Sequence, residues 1–135
     1  MPDTAVPVPA AAAVGPPWFS CRRSDCASTV RLSVSGELDI ATAPQLDHAL
    51  GCAQADDAAL VILDLRELEF MDSSGAHLTV AASGSAHQAG DRLVVVRGPV
   101  QVERIFALVG LDRQLELVDR LPATPSAAVL DGVQP

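Results

Sequence analysis

The sequence predicts a small α/β domain with a mixed, largely parallel β-sheet and helices packed against it. Two apolar runs, 59–63 and 93–96, are continuous, as in strands that are covered on both faces. Strand, helix, strand, helix and strand alternate from Ala59 to Val118, which favours parallel neighbours joined by right-handed crossovers. A half-polar strand from Val30 to Ser35 precedes them and predicts a less buried edge, hence a mixed sheet.

Size and composition limit the possible functions. The chain has 135 residues, which is room for one domain with a modest core. Aromatic residues make up only 3%, so the core must be built from Val, Leu, Ile and Ala. The formal net charge is −8 and every basic residue is Arg. Because so acidic a chain repels phosphate backbones and anionic lipids, we expect no nucleic-acid partner and no membrane partner.

Cysteine number and the N-terminus indicate the cellular compartment. Cys21, Cys26 and Cys52 are an odd number without a repeated short spacing, which favours neither a disulfide framework nor a zinc site. The N-terminus lacks the positive charge and unbroken apolar run of a signal peptide, and no stretch approaches the ~20 apolar residues of a membrane span. These features predict a soluble, cytoplasmic protein with reduced cysteines and no metal.

Proline content divides the chain into a tail and a domain. Residues 1–17 contain five prolines and predict a flexible tail. Residues 18–121 are the predicted domain, and 122–135 predict a weak amphipathic helix or tail. At the start of the domain, Trp18 to Cys21 predicts an edge strand and Arg22 to Ser28 a polar turn.

The first strand and helix follow from local patterns. Val30 to Gly36 alternates apolar and polar residues, as a half-buried strand does. Thr42 is predicted to cap the next helix, with Pro44 in its first turn. The buried face of that helix has the spacing i, i+3, i+4 and i+7, and it consists of Leu46, Ala49, Leu50 and Ala53.

The stretch from Val61 to Gly75 carries the functional prediction. An apolar run ends in the carboxylate of Asp64, a short acidic connection follows, and Asp72 then caps a helix with Ser73 and Ser74 in its first turn. Gly75 is expected to make room for an incoming group. Unpaired N–H groups and the positive end of the helix dipole suit a phosphate there. The pattern predicts phosphorylation of Ser73, or else only a helix start.

The later elements follow the same alternation. The helix after Asp72 is predicted to continue to about Gln88, and Gly90 is placed to end it. A strand is predicted at Leu93 to Val96, and a short final strand at Leu115 to Val118. Between them, Gly98 and Pro99 begin a helix, with Pro99 in its first turn, and this helix ends at Gly110. Its apolar face consists of Val102, Ile105, Phe106 and Val109.

Several of these segments together resemble the STAS domain of bacterial anti-sigma factor antagonists. The matching segments, in order and spacing, are Gly36-Glu37-Leu38-Asp39, Thr42-Ala43, Asp64-Leu65, Phe70-Met71-Asp72-Ser73-Ser74-Gly75, and Arg104-Ile105-Phe106 with Val109-Gly110-Leu111. The resemblance covers roughly Val30 to Leu121. The chain departs from the family pattern at Ala76-His77, where members commonly have Leu-Gly, and in its Pro/Ala-rich head.

The resemblance implies a regulatory function. In that family the anti-sigma factor is an ATP-dependent kinase that phosphorylates the first serine of the pair, and the unphosphorylated antagonist binds this kinase and so releases the sigma factor. The chain is thus implied to be an anti-anti-sigma factor, not an enzyme, with no cofactor, with Ser73 as phosphoacceptor, and with a phosphatase as a second partner. The implied partner-binding residues are Asp39, Thr42, Asp72, Ser73, Ser74, Gly75 and His77.

Three other interpretations stay open at this point. The first is an enzyme, with one of the two serines as nucleophile and His48, His77 or His87 as base. Against it, the sequence has neither a Gly-x-Ser-x-Gly elbow nor a Gly-rich phosphate loop. A metal site made of Asp72, His77 and His87 has no supporting spacing. The third is a STAS-like docking scaffold of a transport or stress-signalling complex, without a phosphorylation switch.

Overall fold

The computed structural model describes residues 16–122 of the chain. The predicted N-terminal tail falls almost wholly before this range, and the predicted C-terminal helix or tail, which starts at Pro122, falls almost wholly after it. Both predictions therefore lie outside the described residues.

Five strands and three helices make up the described part of the chain. The strands are β1 (Phe19–Cys26), β2 (Thr29–Leu38), β3 (Leu60–Met71), β4 (Arg92–Val96) and β5 (Glu116–Val118), and the helices are α1 (Ala43–Ala55), α2 (Ser73–Gln88) and α3 (Val100–Leu108). A 3₁₀ turn at Asp112–Gln114, which the sequence did not predict, precedes β5.

The sheet has the order β1-β2-β3-β4-β5. β1 pairs with β2 in antiparallel orientation, and every later pair is parallel. The predicted mixed, largely parallel sheet is therefore confirmed.

One face of the sheet packs against all three helices. Leu32, Leu63 and Val95 are neighbours in register on β2, β3 and β4 and are fully buried in one cluster. That cluster also contains buried residues from each helix: Leu46 and Leu50 of α1, Ala76 and Ala86 of α2, and Val102 and Phe106 of α3. The core is mainly aliphatic, as predicted, with Phe19, Met71 and Phe106 as larger members.

β1 is longer than predicted, and the predicted polar turn from Arg22 to Ser28 is wrong. The strand continues to Cys26, which pairs with Thr29, so only Ala27 and Ser28 connect β1 to β2. Hydrogen bonding to β2 determines this strand, and because its middle is exposed, polar side chains are tolerated there. Ala27 has a φ of +58°, which the first position of a type II′ hairpin turn requires.

β3 also exceeds its prediction, because the predicted acidic connection after Leu65 is part of the strand. The strand runs without a break to Met71. Its pairing with β2 shifts by one residue at two places, so β3 carries two bulges. The bulges let Leu65 and Leu68 enter the core while Arg66 and Glu67 stay exposed, an arrangement that simple alternation does not reveal.

α1 begins as predicted, but Thr42 caps it differently. Thr42 occupies the N-cap position, yet its hydroxyl makes no capping hydrogen bond to the helix and bonds the preceding loop instead. The predicted buried stripe is confirmed, with Leu46, Leu50 and Ala53 buried and Ala49 half-buried.

Glycines end the two later helices, as predicted. Gly90 has a φ of +81° just beyond α2, and Gly110 has a φ of +72° just beyond α3. The N–H of Leu111 donates to the carbonyl of Phe106 over 3.0 Å, which closes a Schellman turn around Gly110. α3 itself starts at Val100, so Pro99 is its N-cap and not a first-turn residue.

Candidate functional site

The predicted site residues follow two neighbouring parallel strands that end side by side. Leu38 at the end of β2 pairs with Met71 at the end of β3. The backbone N–H of Asp72 donates to the carbonyl of Leu38 over 3.1 Å. Asp39 and Asp72 therefore lie at the same edge of the sheet, where loops after parallel strands commonly form binding sites.

Asp72 caps α2 and leaves Ser73 accessible. Its Oδ1 accepts a hydrogen bond from the N–H of Ser74 over 2.9 Å, which satisfies one unpaired donor of the first turn. Ser73 is the first residue of the helix and is exposed, whereas Ser74 is half-buried. Of the two hydroxyl groups, that of Ser73 is the easier one for an external phosphoryl donor to reach.

The loop between β2 and α1 is held by its own hydrogen bonds. Oδ1 of Asp39 accepts from the N–H groups of Ala41 and Thr42 over 2.9 and 3.1 Å. Oγ1 of Thr42 accepts from the N–H of Asp39 over 2.9 Å and donates to the carbonyl of Glu37 over 2.8 Å. Thr42 is fully buried, so its side chain shapes this loop from the inside.

Gly75 faces the core, so the predicted reason for this glycine was wrong. A Cβ at position 75 would lie 2.7 Å from Cγ of Met71 and 2.8 Å from Cδ2 of Leu38. The missing side chain thus makes room for the two residues that end β2 and β3, not for an incoming group. It lets the first turn of α2 approach the strand ends closely, and in this way places Ser73 at the edge.

His77 is exposed on the second turn of α2. Its ring Nδ1 lies 2.7 Å from the carbonyl oxygen of Ser73. The imidazole therefore lies one helical turn from the predicted phosphoacceptor and on the same side of the helix.

Sequence reasoning missed three exposed apolar side chains around this edge. Ile40 follows β2 and is 77% exposed, Phe70 precedes the last residue of β3 and is 48% exposed, and Val100 begins α3 after β4 and is 68% exposed. The sequence offered only a weak signal for such a surface, namely single apolar residues next to predicted loops. Exposed apolar side chains next to polar ones are common in protein interaction surfaces.

The three histidines do not support the enzyme interpretation. Nε2 of His48 lies 3.5 Å from Sγ of Cys52 on α1, and His77 bonds a backbone carbonyl of its own helix. His87 is in the last turn of α2, about 21 Å along the axis from Ser73. In the described residues none of these rings is hydrogen-bonded to the hydroxyl of Ser73 or Ser74.

The metal interpretation is not supported by residues 16–122 either. They contain no group of three or more His, Cys, Asp or Glu side chains arranged to hold a metal ion. Asp72 and His87 lie at opposite ends of α2, so the side chains of that interpretation do not converge.

Within residues 16–122, every helix is too short or too polar to cross a bilayer.

Comparison with known proteins assigns this chain to a class. A family profile described as "Mlab, STAS domain" matches residues 21–119, which is most of the chain. The chain belongs to the STAS domain family.

Two of its relatives are named as anti-sigma factor antagonists. The anti-sigma-F factor antagonist RsfB of Mycobacterium tuberculosis (strain H37Rv) is 37% identical over 90 residues, which are 67% of this chain and 73% of that protein. The anti-sigma-B factor antagonist of Listeria monocytogenes is 32% identical over 88 residues, 65% of this chain and 77% of that protein. The resemblance to anti-sigma factor antagonists is thereby confirmed.

Solved structures agree with this assignment. A crystal structure of an anti-sigma factor antagonist from Mycobacterium paratuberculosis matches with a TM-score of 0.67 and 26% identity, over 90% of this chain and all of that one. The antagonist SpoIIAA in its unphosphorylated form matches with a TM-score of 0.64 and 23% identity, over 85% of this chain and 96% of that one. The second similarity concerns the fold.

Proposed function

We propose that this chain is an anti-sigma factor antagonist controlled by phosphorylation of Ser73. Unphosphorylated, it binds an anti-sigma factor kinase in the cytoplasm, and a sigma factor is released to direct transcription. Phosphorylation of Ser73 breaks this complex, and a phosphatase restores it. The observation that carries the proposal is the exposed hydroxyl of Ser73 at the start of α2, in the family's phosphoacceptor position.

The surroundings of Ser73 explain how a phosphate acts. Ile40, Phe70 and Val100 offer apolar surface that a partner would cover. A phosphoserine carries about −1.5 to −2 charges, which must be desolvated in the same interface. The carboxylates of Asp39 and Asp72 at this edge add like-charge repulsion. The phosphorylated chain therefore binds only a partner that supplies cations.

The chain is a substrate and not a catalyst in this scheme. Oγ of Ser73 attacks the γ-phosphorus of ATP, the bond from this phosphorus to the β,γ-bridging oxygen breaks, and ADP leaves. The hydroxyl proton goes to a base of the kinase, which also holds the ATP and its magnesium ion. Ser73 contributes the acceptor oxygen, and the helix N-terminus favours the negative charge that arrives.

Charge variants of Ser73 test the switch. Ser73→Ala should bind the kinase constitutively, and Ser73→Asp should bind it about 30-fold or more weakly, since an uncompensated charge in an interface costs about 2–5 kcal/mol. Native lysate is passed over the wild-type and variant proteins, the recovered proteins are identified by mass spectrometry, and affinities are measured with the purified kinase. Ser85→Asp adds the same charge at an exposed position near the other end of α2 and is the matched control.

Three outcomes would contradict the proposal. Equal affinity of Ser73→Ala and Ser73→Asp for the kinase would remove the switch. Modification of Ser74 with Ser73 untouched would refute the assigned phosphoacceptor. The same partners on every bait, or a component of a membrane transporter, would favour the unswitched docking scaffold.

A further inference from the structure

The hydrogen bond between His77 and Ser73 determines which ring nitrogen carries a proton. A backbone carbonyl oxygen only accepts hydrogen bonds, so Nδ1, at 2.7 Å from the oxygen of Ser73, must be the donor. In the neutral imidazole Nε2 is then a bare acceptor. Because His77 is exposed, Nε2 can take up a proton from solvent.

Two carboxylates lie at the same edge of the sheet as Ser73. Asp72 caps the same helix, and Asp39 lies at the adjoining strand end. From Asp72 to Val80, His77 is the one side chain that can become a cation. It is four residues after Ser73, and this order, anion first and cation one turn later, is the favourable one for a helical ion pair.

We propose that His77 is the internal counter-charge of phosphorylated Ser73, an inference that rests on the proposed function and deepens it. The dianionic phosphate offers only acceptor oxygens, and the bare Nε2 of a neutral ring cannot donate to them. The pair forms when a solvent proton binds Nε2, and the resulting N–H donates to a phosphate oxygen. Phosphorylation of Ser73 is therefore coupled to proton uptake by His77, and the phosphorylated state depends on pH in the neutral range.

The sign of the coupling follows from the charges. Acidification protonates Nε2 and strengthens the pair, while the same acidification lowers the charge of the phosphate. The carboxylates of Asp39 and Asp72 oppose the second ionisation of the phosphate. The pair should thus be strongest where the ring is protonated and the phosphate still carries most of its second charge, slightly below neutral pH.

The test installs the phosphate without any kinase. Phosphoserine is incorporated at position 73 during synthesis in the wild-type, His77→Gln and His77→Ala backgrounds, and the phosphate is titrated by ³¹P NMR. We expect its titration midpoint to lie about 0.2–0.4 pH unit lower in the wild type than in His77→Ala. Gln keeps a neutral donor but cannot gain charge, so His77→Gln should resemble His77→Ala. About 0.5 M salt should remove most of the difference.

The other histidines are internal controls. The ring signals of His77 should follow the phosphate titration, whereas those of His48 on α1 and His87 at the far end of α2 should not. Equal midpoints in all three backgrounds would overturn the inference. This result would leave the proposed switch intact, because the affinities of Ser73→Ala and Ser73→Asp for the kinase decide that separately.

Discussion

Gly75 and Gly84 lie in the same helix but in opposite surroundings. A Cβ at position 75 would come within 2.8 Å of Met71 and Leu38, whereas a Cβ at position 84 would meet nothing within 4 Å. We expect Gly75→Ala to lower the free energy of unfolding by about 1–3 kcal/mol, because core atoms must move. Urea denaturation followed by circular dichroism measures this change.

Gly84→Ala is the matched control for that substitution. It changes the same residue type in the same helix without overpacking, and should raise the free energy of unfolding by about 1 kcal/mol through helix propensity. If both variants shift stability in the same direction, packing against Leu38 and Met71 does not explain Gly75.

At this scale the sequence predicted what depends on near neighbours. Asp72 as N-cap and Ser73 as the exposed first residue of α2 follow from a few adjacent residues. The environment of Gly75 could not be predicted, because Leu38 comes from another strand. Ile40 was missed for the same reason, since only the assembled sheet edge shows that it lies beside the end of β3.

The first bulge of β3 lies next to Asp64. The carboxylate of Asp64 is buried. It accepts a hydrogen bond from the backbone N–H of Arg66 over 3.1 Å and two from the guanidinium of Arg66 over 2.8 and 2.9 Å. The guanidinium of Arg31 donates a further hydrogen bond over 3.0 Å. Asp64 thus ties both sides of the bulge to β2. This cluster fixes the register between β3 and β2, and this register in turn determines where Asp72 lies at the edge of the sheet.

The protonation of Asp64 should make stability depend on pH. Burial acts to raise the pKa of Asp64, but the hydrogen bonds and charges of Arg66 and Arg31 outweigh it and hold this pKa below its usual value. A depressed pKa in the folded state stabilises the fold fully above the unfolded value of about 3.9, and this contribution is lost as pH falls through the lower, folded-state pKa. We expect Asp64→Asn to cost about 1–3 kcal/mol at pH 7 and progressively less as the pH falls towards 3.

Urea denaturation at several pH values between 7 and 3 measures this dependence. Asp47→Asn, at an exposed position of α1, removes the same charge without burial and should leave the pH profile unchanged. A wild-type-like slope in Asp64→Asn would show that other carboxylates cause the acid sensitivity.

At the scale of elements, the sequence located each strand in the described range but not the full length of β1 and β3. The exposed middle of β1 gives no apolar alternation, and only pairing with β2 makes it a strand. In β3 the bulges interrupt the alternation after Asp64, so the pattern looks like a connection. Both errors occur where hydrogen bonding to a neighbour overrides the side-chain pattern.

Over the whole molecule, the proposed phosphoacceptor Ser73 is separate from the core. The helices pack on one face of the sheet, while Ser73 lies at the edge where β2 and β3 end. The alternation of strands and helices predicted the largely parallel sheet, which places the ends of neighbouring strands together, but it did not predict that the helices share one face.

We therefore predict that a negative charge at position 73 leaves the fold intact. The N-terminus of α2 favours the charge of Ser73→Asp by about 0.3–1 kcal/mol and Asp72 opposes it, so the melting temperature should change by no more than about 2 °C. Hydrogen exchange should change only in 39–42 and 70–77, while β4 keeps its protection. Loss of protection in β4 would mean that the substitution destabilises the core. Weaker kinase binding by Ser73→Asp would then result from unfolding and not from a switch.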